Sequence, residues 1–197
     1  MTGDTDAKAK AKTVQLYTAT TCELPLLENI KARSTKLDDI SDSRTREVAR
    51  DQRKEGVSRL SCWFACDKPE LAALFLMGER KHGRDKDKRK GDVLLIYAVE
   101  MDAPSKHPMC LVDAIAKNLE KNNRILSSLA GEYWKPTRDW RFFEYLSSEI
   151  RVMTQVPWPT APKLGAVSIS HSTDVAAASS FVQSLIAHST PSSNLGA

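Results

Sequence analysis

Seven consecutive apolar residues, Val93 to Val99, lie between Asp92 and Glu100. A short run of this kind bounded by charged residues is typical of a β-strand. Because polar residues do not alternate with apolar ones in the run, the strand should be covered on both faces, or nearly so. We therefore predict that Asp92–Glu100 is the strongest strand of the chain and that other elements pack on each side of it.

Helix and strand patterns mix irregularly along the rest of the chain. Further strands are predicted at Thr13–Thr18, Ser58–Cys66, Glu149–Val156 and Ala166–Ser170. Helices are predicted at Leu24–Arg33, Lys68–Leu76, Leu111–Ile125, Arg138–Leu146 and Thr173–Ala187, and a loop or exposed helix at 34–56. Since regular βαβ alternation is missing, the pattern favours the α+β class. We expect a single domain over residues 13–187, between flexible ends at 1–12 and 188–197.

The composition argues against several classes of protein. The 197 residues contain no apolar run of about 18, so no membrane-spanning helix and no membrane partner are expected. Residues 1–12 are rich in Lys and Ala and lack the apolar stretch of a secretory signal, so we expect a cytoplasmic protein, or one delivered into a host cytoplasm. The cysteines lack histidine partners at zinc-site spacing, which predicts no metal site; they are Cys22, Cys62, Cys66 and Cys110.

Basic residues are concentrated in the segment 78–91. It holds seven Lys or Arg against three Asp or Glu, a surplus of four that equals the net charge of the whole chain, +4. A run of this kind is typical of a solvated loop. The alternative is a basic patch that binds phosphate groups or an acidic partner.

Three separated segments combine aromatic and polar residues in a particular order. Residues 63–75 read Trp-Phe-Ala-Cys-Asp-Lys-Pro-Glu-Leu-Ala-Ala-Leu-Phe, an aromatic strand followed by a helix. Residues 147–152 read Ser-Ser-Glu-Ile-Arg-Val, and residues 16–20 read Leu-Tyr-Thr-Ala-Thr. Taken together, these segments resemble the three signature strands of the ADP-ribosyltransferase superfamily, especially its poly(ADP-ribose) polymerase-like and diphtheria-toxin-like branch.

The resemblance implies a fold and a nucleotide-binding site. The fold would be α+β, with split mixed or antiparallel sheets flanked by helices. Trp63 stands where the family has a tyrosine that stacks on nicotinamide, and an indole offers a similar flat face. Thr18, next to Tyr17, stands where the family has a histidine. Arg59 and Ser61 would form the lip of the pocket for NAD⁺, with Arg59 contacting a phosphate.

Two carboxylates are candidates for the catalytic group. The resemblance implies that Glu149, at the start of its strand, binds a ribose hydroxyl and stabilises positive charge as nicotinamide leaves. Glu144 is the alternative, since Trp140…Glu144-Tyr145-Leu146 is similar to a motif of related families. The sequence favours Glu149. Outside this pattern, Trp63 would be interpreted simply as a core residue and Glu149 as a surface residue.

The resemblance implies an enzyme that transfers ADP-ribose from NAD⁺, its substrate, to a macromolecular acceptor. The acceptor would be a protein or a nucleic acid, bound in part by the basic segment 78–91, with hydrolysis by water as a third outcome. Small transferases of this family are often toxins or effectors. Two alternatives stay open: a catalytically inactive binding module on the same fold, and a basic nucleic-acid-binding protein. The sequence contains no recognisable DNA- or RNA-binding motif that would support the nucleic-acid-binding alternative.

Overall fold

The computed structural model describes residues 12–33, 59–82, 93–118 and 123–189. These residues form seven strands: β1 (Thr13–Thr20), β2 (Asn29–Lys31), β3 (Trp63–Cys66), β4 (Leu95–Asp102), β5 (Ser105–Pro108), β6 (Phe143–Ser147) and β7 (Glu149–Val156). They also form four α-helices: α1 (Pro69–His82), α2 (Met109–Asn118), α3 (Asn123–Trp134) and α4 (Ala161–Ser189). A 3-10 turn, Arg59–Ser61, precedes β3. The predicted α+β class is confirmed.

All seven strands belong to one sheet, with the order β2-β7-β4-β1-β3-β6-β5 and antiparallel pairing between every pair of neighbours. β4 pairs with β1 over eight residues, from Thr13 opposite Asp102 to Thr20 opposite Leu95. By contrast, β1 and β3 share one residue pair, Tyr17 opposite Cys66. In place of the two separate sheets that the resemblance implies, the protein has one sheet whose halves meet at this narrow junction.

The apolar run of β4 is buried as predicted, although the strand is shifted along the chain. Residues 95–99 are all buried, and Val99 has no exposed surface. Val93 lies before the strand and is 64% exposed, so the strand begins two residues later than the apolar run. The shift follows from the register, because Leu95 is the residue that faces the last residue of β1, Thr20.

The core has three parts. One face of the sheet buries Leu16, Tyr97, Val99, Ile150 and Val152. The opposite face is covered next to β1 and β3 by helix α1, whose Leu71 and Ala72 pack against Cys66. Helices α2, α3 and α4 enclose a third cluster around Leu129 and Tyr133. Burying a leucine or isoleucine side chain completely stabilises the fold by about 1.5–3 kcal/mol, so these clusters hold the helices against the sheet.

Three predicted elements are wrong, two of them because pairing with other strands decides the local structure. Leu24–Arg33 is a turn followed by β2, since the amide of Leu27 donates to the Val152 carbonyl on β7 (2.7 Å). Arg138–Leu146 is a loop followed by β6, which pairs with β3 and β5. Ala166–Ser170 lies inside the long helix α4.

The other predicted helices and strands are of the right type, but most of their bounds differ from those observed. The predicted helix Leu111–Ile125 consists of α2 and the start of α3, separated by the undescribed residues 119–122. Helix α1 continues through Gly78–His82, so this part of the predicted basic loop is helical, and residues 83–91 lie outside the described part. All of 34–56 and most of the two tails also lie outside the described part, although α4 extends to Ser189.

Candidate functional site

A pocket of about 280 Å³ lies where β1 and β3 part beyond their single residue pair. It brings together residues from separate parts of the chain: 17–20 of β1, 62–66 before and along β3, two residues of α1, Met109 and Glu144. Four of the predicted site residues line it, namely Tyr17, Thr18, Trp63 and Glu144. The volume is close to the lower end of the range for small-molecule pockets.

Thr18 holds the two diverging strands together. Its hydroxyl donates to the carbonyl oxygen of Phe64 (2.8 Å), and the residue is 5% exposed. Side chains alternate between the faces of a strand, so Thr18 and its neighbour Tyr17 lie on opposite faces of β1. Tyr17 packs with the helix-covered cluster that contains Cys66. The hydroxyl proton of Thr18 is therefore engaged within the protein, while Tyr17 is half-buried at the pocket.

Trp63 is held at one end of the pocket by its own indole nitrogen. Nε1 donates to the carbonyl oxygen of Ile30 on β2 (3.0 Å), and the ring packs against the cluster on the other face of the sheet. The residue stays half-buried. Its ring is thus fixed in orientation, and the residue borders the pocket where β3 begins.

Glu144 is the carboxylate of this pocket. It lies on β6 opposite Cys66 of β3, and the whole residue is 2% exposed. Two donors, Nη1 of Arg59 and the hydroxyl of Tyr133, bind the same carboxylate oxygen, Oε1, and Arg59 Nη1 also contacts the Tyr133 oxygen. A buried carboxylate is tolerated where a cation and hydrogen bonds compensate for lost hydration, and both are present here.

The titration behaviour of the cluster follows from burial and from the Arg59–Glu144 pair. Burial by itself lowers the pKa of Arg59, but Glu144 and Tyr133 outweigh this effect and the pKa lies above its ordinary value. Burial, reinforced by Glu144, holds the pKa of Tyr133 well above its usual range. Burial also raises the pKa of Cys62 to about 12, against the opposing charge of Arg59. Since the thiolate is the nucleophilic form, Cys62 is a poor nucleophile at neutral pH.

His107 supports the cluster from β5. It lies opposite Glu144 in the β5–β6 register, and its ring stacks on Tyr133 with centroids 4.7 Å apart and an interplanar angle of 21°. Nδ1 donates to the carbonyl oxygen of Tyr133 (3.0 Å). Burial is the main reason that the pKa of His107 is lowered. The sequence alone does not assign a role to His107 or Tyr133, because their contacts span β5, α3 and β6; the available signal is the cluster of aromatic residues around 133–145.

Three other predicted site residues do not line this pocket, namely Arg59, Ser61 and Glu149. Arg59 is 4% exposed and its guanidinium binds Glu144, so it is not a surface group at a pocket lip. Ser61 lies in the 3-10 turn and is not a lining residue. Glu149 borders a different, open cleft of about 760 Å³, together with Glu100, Asp102 and Arg151.

No protein-family model and no curated protein sequence matches the chain. Within the described ranges, no helix combines the length and the hydropathy that crossing a membrane requires. Among the side chains that the structure describes, no group of three or more His, Cys, Asp or Glu residues is arranged to hold a metal ion.

Proposed function

We propose that the protein binds the nicotinamide-ribose end of NAD⁺ in the pocket between β1 and β3, and transfers ADP-ribose to a macromolecular acceptor. One observation carries the proposal. Tyr17, Thr18, Trp63 and Glu144 come from three segments distant in sequence, yet they line the same pocket. The resemblance to ADP-ribosyltransferases rests on segments that include three of these four residues, and the fold is the expected α+β class.

The shape of the pocket suits part of the dinucleotide rather than all of it. Its volume of about 280 Å³ has room for a nicotinamide ring and ribose, so the adenosine half would extend outside. Trp63 would provide a flat aromatic face for the nicotinamide. The adjoining edges of β1 and β3, which share a single residue pair, would provide backbone groups for the carboxamide.

Glu144 is the carboxylate that we assign to catalysis. When the bond between ribose C1′ and the nicotinamide nitrogen breaks, its electron pair leaves with nicotinamide and positive charge develops on the ribose. A fixed carboxylate close to the ribose stabilises that charge. A hydroxyl or carboxylate oxygen of the acceptor then forms the new bond to C1′, and the proton of a hydroxyl acceptor passes to water. We do not assign this role to Glu149, because it borders the other cleft.

The test is nicotinamide release from NAD⁺ by the purified full-length chain, with and without cell lysate as a source of acceptors. Glu144→Gln should reduce release by about 100-fold or more, because one preorganised electrostatic group typically contributes that much. Glu149→Gln is the matched control, with the same change of chemistry in the other cleft, and should retain the wild-type rate. Wild-type protein without any release would refute the transferase proposal. A loss confined to Glu149→Gln would move the carboxylate to the other cleft.

A second candidate is a non-catalytic module that binds a nucleotide in the same pocket. The observation in its favour is that the Thr18 proton is engaged by Phe64 and that Glu144 is paired with Arg59. Isothermal titration calorimetry with NAD⁺ distinguishes the two candidates. Binding without turnover by the wild type, and with unchanged affinity in Glu144→Gln, would favour the module.

A further inference from the structure

We infer that Arg59 and Tyr133 are positioning residues that hold Glu144 in a single orientation within the pocket. The inference rests on the proposed function and extends it. Both side chains donate to Oε1 of Glu144, and they also contact each other through Arg59 Nη1 and the Tyr133 oxygen. Three groups in mutual contact define the position of the carboxylate more narrowly than either donor would alone.

Contacts other than the one with Glu144 also hold the Arg59 side chain in place. It belongs to the 3-10 turn that leads into β3, and its side chain is 1% exposed. Its guanidinium carbon lies over the Phe64 ring, 4.7 Å from the centroid, and 5.6 Å from the centroid of Tyr133. An arginine between two aromatic rings has few alternative rotamers. Its charge also compensates for a carboxylate that would be costly to bury by itself.

Tyr133 is held just as firmly from the other side. It lies in the last turn of α3 and has no exposed surface. His107 stacks on its ring, and the Trp134 ring meets the Tyr133 ring edge-on, with centroids 4.9 Å apart. The phenol hydroxyl therefore has one direction in which to donate, toward Glu144.

The two oxygens of the Glu144 carboxylate have different surroundings. Both donors bind Oε1, and neither contact uses Oε2. The two residues thus fix the position of Oε1, and the contact with the ribose falls to Oε2. Loss of such an arrangement lowers the rate of the chemical step without weakening ground-state binding, because the orientation matters most in the transition state.

The experiment measures kcat and KM for nicotinamide release, together with the Kd for NAD⁺, in four proteins. They are the wild type, Tyr133→Phe, Arg59→Lys and the control Tyr145→Phe. Tyr145 lies next to Glu144 on β6 but packs with the cluster of the other face, so its side chain points away from that of Glu144. We expect Tyr133→Phe to lower kcat about tenfold or more while the Kd changes less than about twofold. Arg59→Lys should retain part of the rate because it keeps the charge, and Tyr145→Phe should match the wild type.

The outcomes separate this inference from the function on which it rests. If the wild type releases nicotinamide and Tyr133→Phe has the same kcat, the positioning role is refuted while the transferase proposal stands. A parallel loss of kcat, NAD⁺ affinity and thermal stability in Tyr133→Phe would also refute it, since that pattern indicates general damage to the fold. Wild-type protein that releases no nicotinamide refutes the proposed function and this inference with it.

Discussion

The indole N–H of Trp63 on β3 donates to the carbonyl oxygen of Ile30 on β2 at 3.0 Å, although three strands lie between β2 and β3 in the sheet. A flat sheet would keep these strands far apart, since neighbouring strands are about 4.8 Å from one another. The bond therefore requires a sheet that curls strongly around the cluster formed by Leu16, Tyr97 and Val99.

Trp63→Phe tests the contribution of this hydrogen bond. The substitution keeps an aromatic ring but removes the donor, which leaves the Ile30 carbonyl without this partner. We expect the free energy of unfolding to fall by about 1–2 kcal/mol, from the lost bond and the smaller ring. Urea unfolding followed by circular dichroism measures the change. Trp63→Ala, which also removes the ring, should cost more; equal stability of Trp63→Phe and the wild type would contradict a structural role for the bond.

The sheet was easier to predict from the sequence than the elements around it. The predicted strand Glu149–Val156 is confirmed at both ends, and Thr13–Thr18 is confirmed as the larger part of β1. In both strands alternating polar and apolar side chains give a local signal that the buried face confirms. The strand β6 was missed because its aromatic residues suit a helix equally well, and its pairing with β3 and β5 is visible in three dimensions alone.

The sequence predicts several residues of the candidate site but not the contacts between them. Trp63, Thr18 and Glu144 were among the predicted residues, and they line one pocket. The pairing of Arg59 with Glu144 spans 85 residues, and no local pattern encodes it. The buried carboxylate of Glu132 was not predicted either; it accepts hydrogen bonds from the amides of Thr137 and Arg138, the Thr137 hydroxyl and the Trp140 indole.

The buried pair of Arg59 and Glu144 should show strong non-additivity. Arg59→Met leaves the carboxylate of Glu144 buried without its cation, and we expect a loss of about 3–5 kcal/mol in the free energy of unfolding. Adding Glu144→Leu removes the uncompensated charge, so the double variant should be more stable than Arg59→Met alone. Urea unfolding of the wild type, both single variants and the double variant gives the coupling energy. A double variant with the summed loss of both single variants would show that the two side chains act independently.

His107 should make the stability depend on pH just below neutrality. Burial lowers its pKa in the folded state, against the hydrogen bond to the Tyr133 carbonyl and the charge of Glu144, and Arg59 adds to the lowering. The unfolded state therefore binds a proton before the folded state does as the pH falls. The stabilisation is complete above the unfolded pKa of about 6.5 and is lost as the pH falls toward the folded value.

The comparison of wild type with His107→Gln isolates this effect. The free energy of unfolding of the wild type should be lower at pH 5.5 than at pH 7.5, and the drop should be smaller in the variant. Each pKa unit of difference between the folded and unfolded states is worth at most about 1.4 kcal/mol. The other histidines remain in both proteins, so their contributions cancel. Identical drops in the two proteins would show that His107 has the same pKa folded and unfolded.

Leu27 occupies a backbone conformation that favours glycine, with a φ of 62°, in the turn that pairs with β7. A leucine in this region costs about 1–2 kcal/mol, while glycine loses about 0.5–1 kcal/mol through the greater freedom of its unfolded chain. The Leu27 side chain is 65% exposed, so little burial is lost with it. Leu27→Gly should therefore stabilise the protein by up to about 1 kcal/mol, a rise in Tm of about 2–4 °C. Leu26→Gly is the matched control: Leu26 is 52% exposed but has no positive φ, so the entropic cost acts alone and Tm should fall. If both variants lower Tm equally, the turn is not strained at Leu27 in solution. The hydrogen bond from the Leu27 amide to the Val152 carbonyl then does not depend on that conformation.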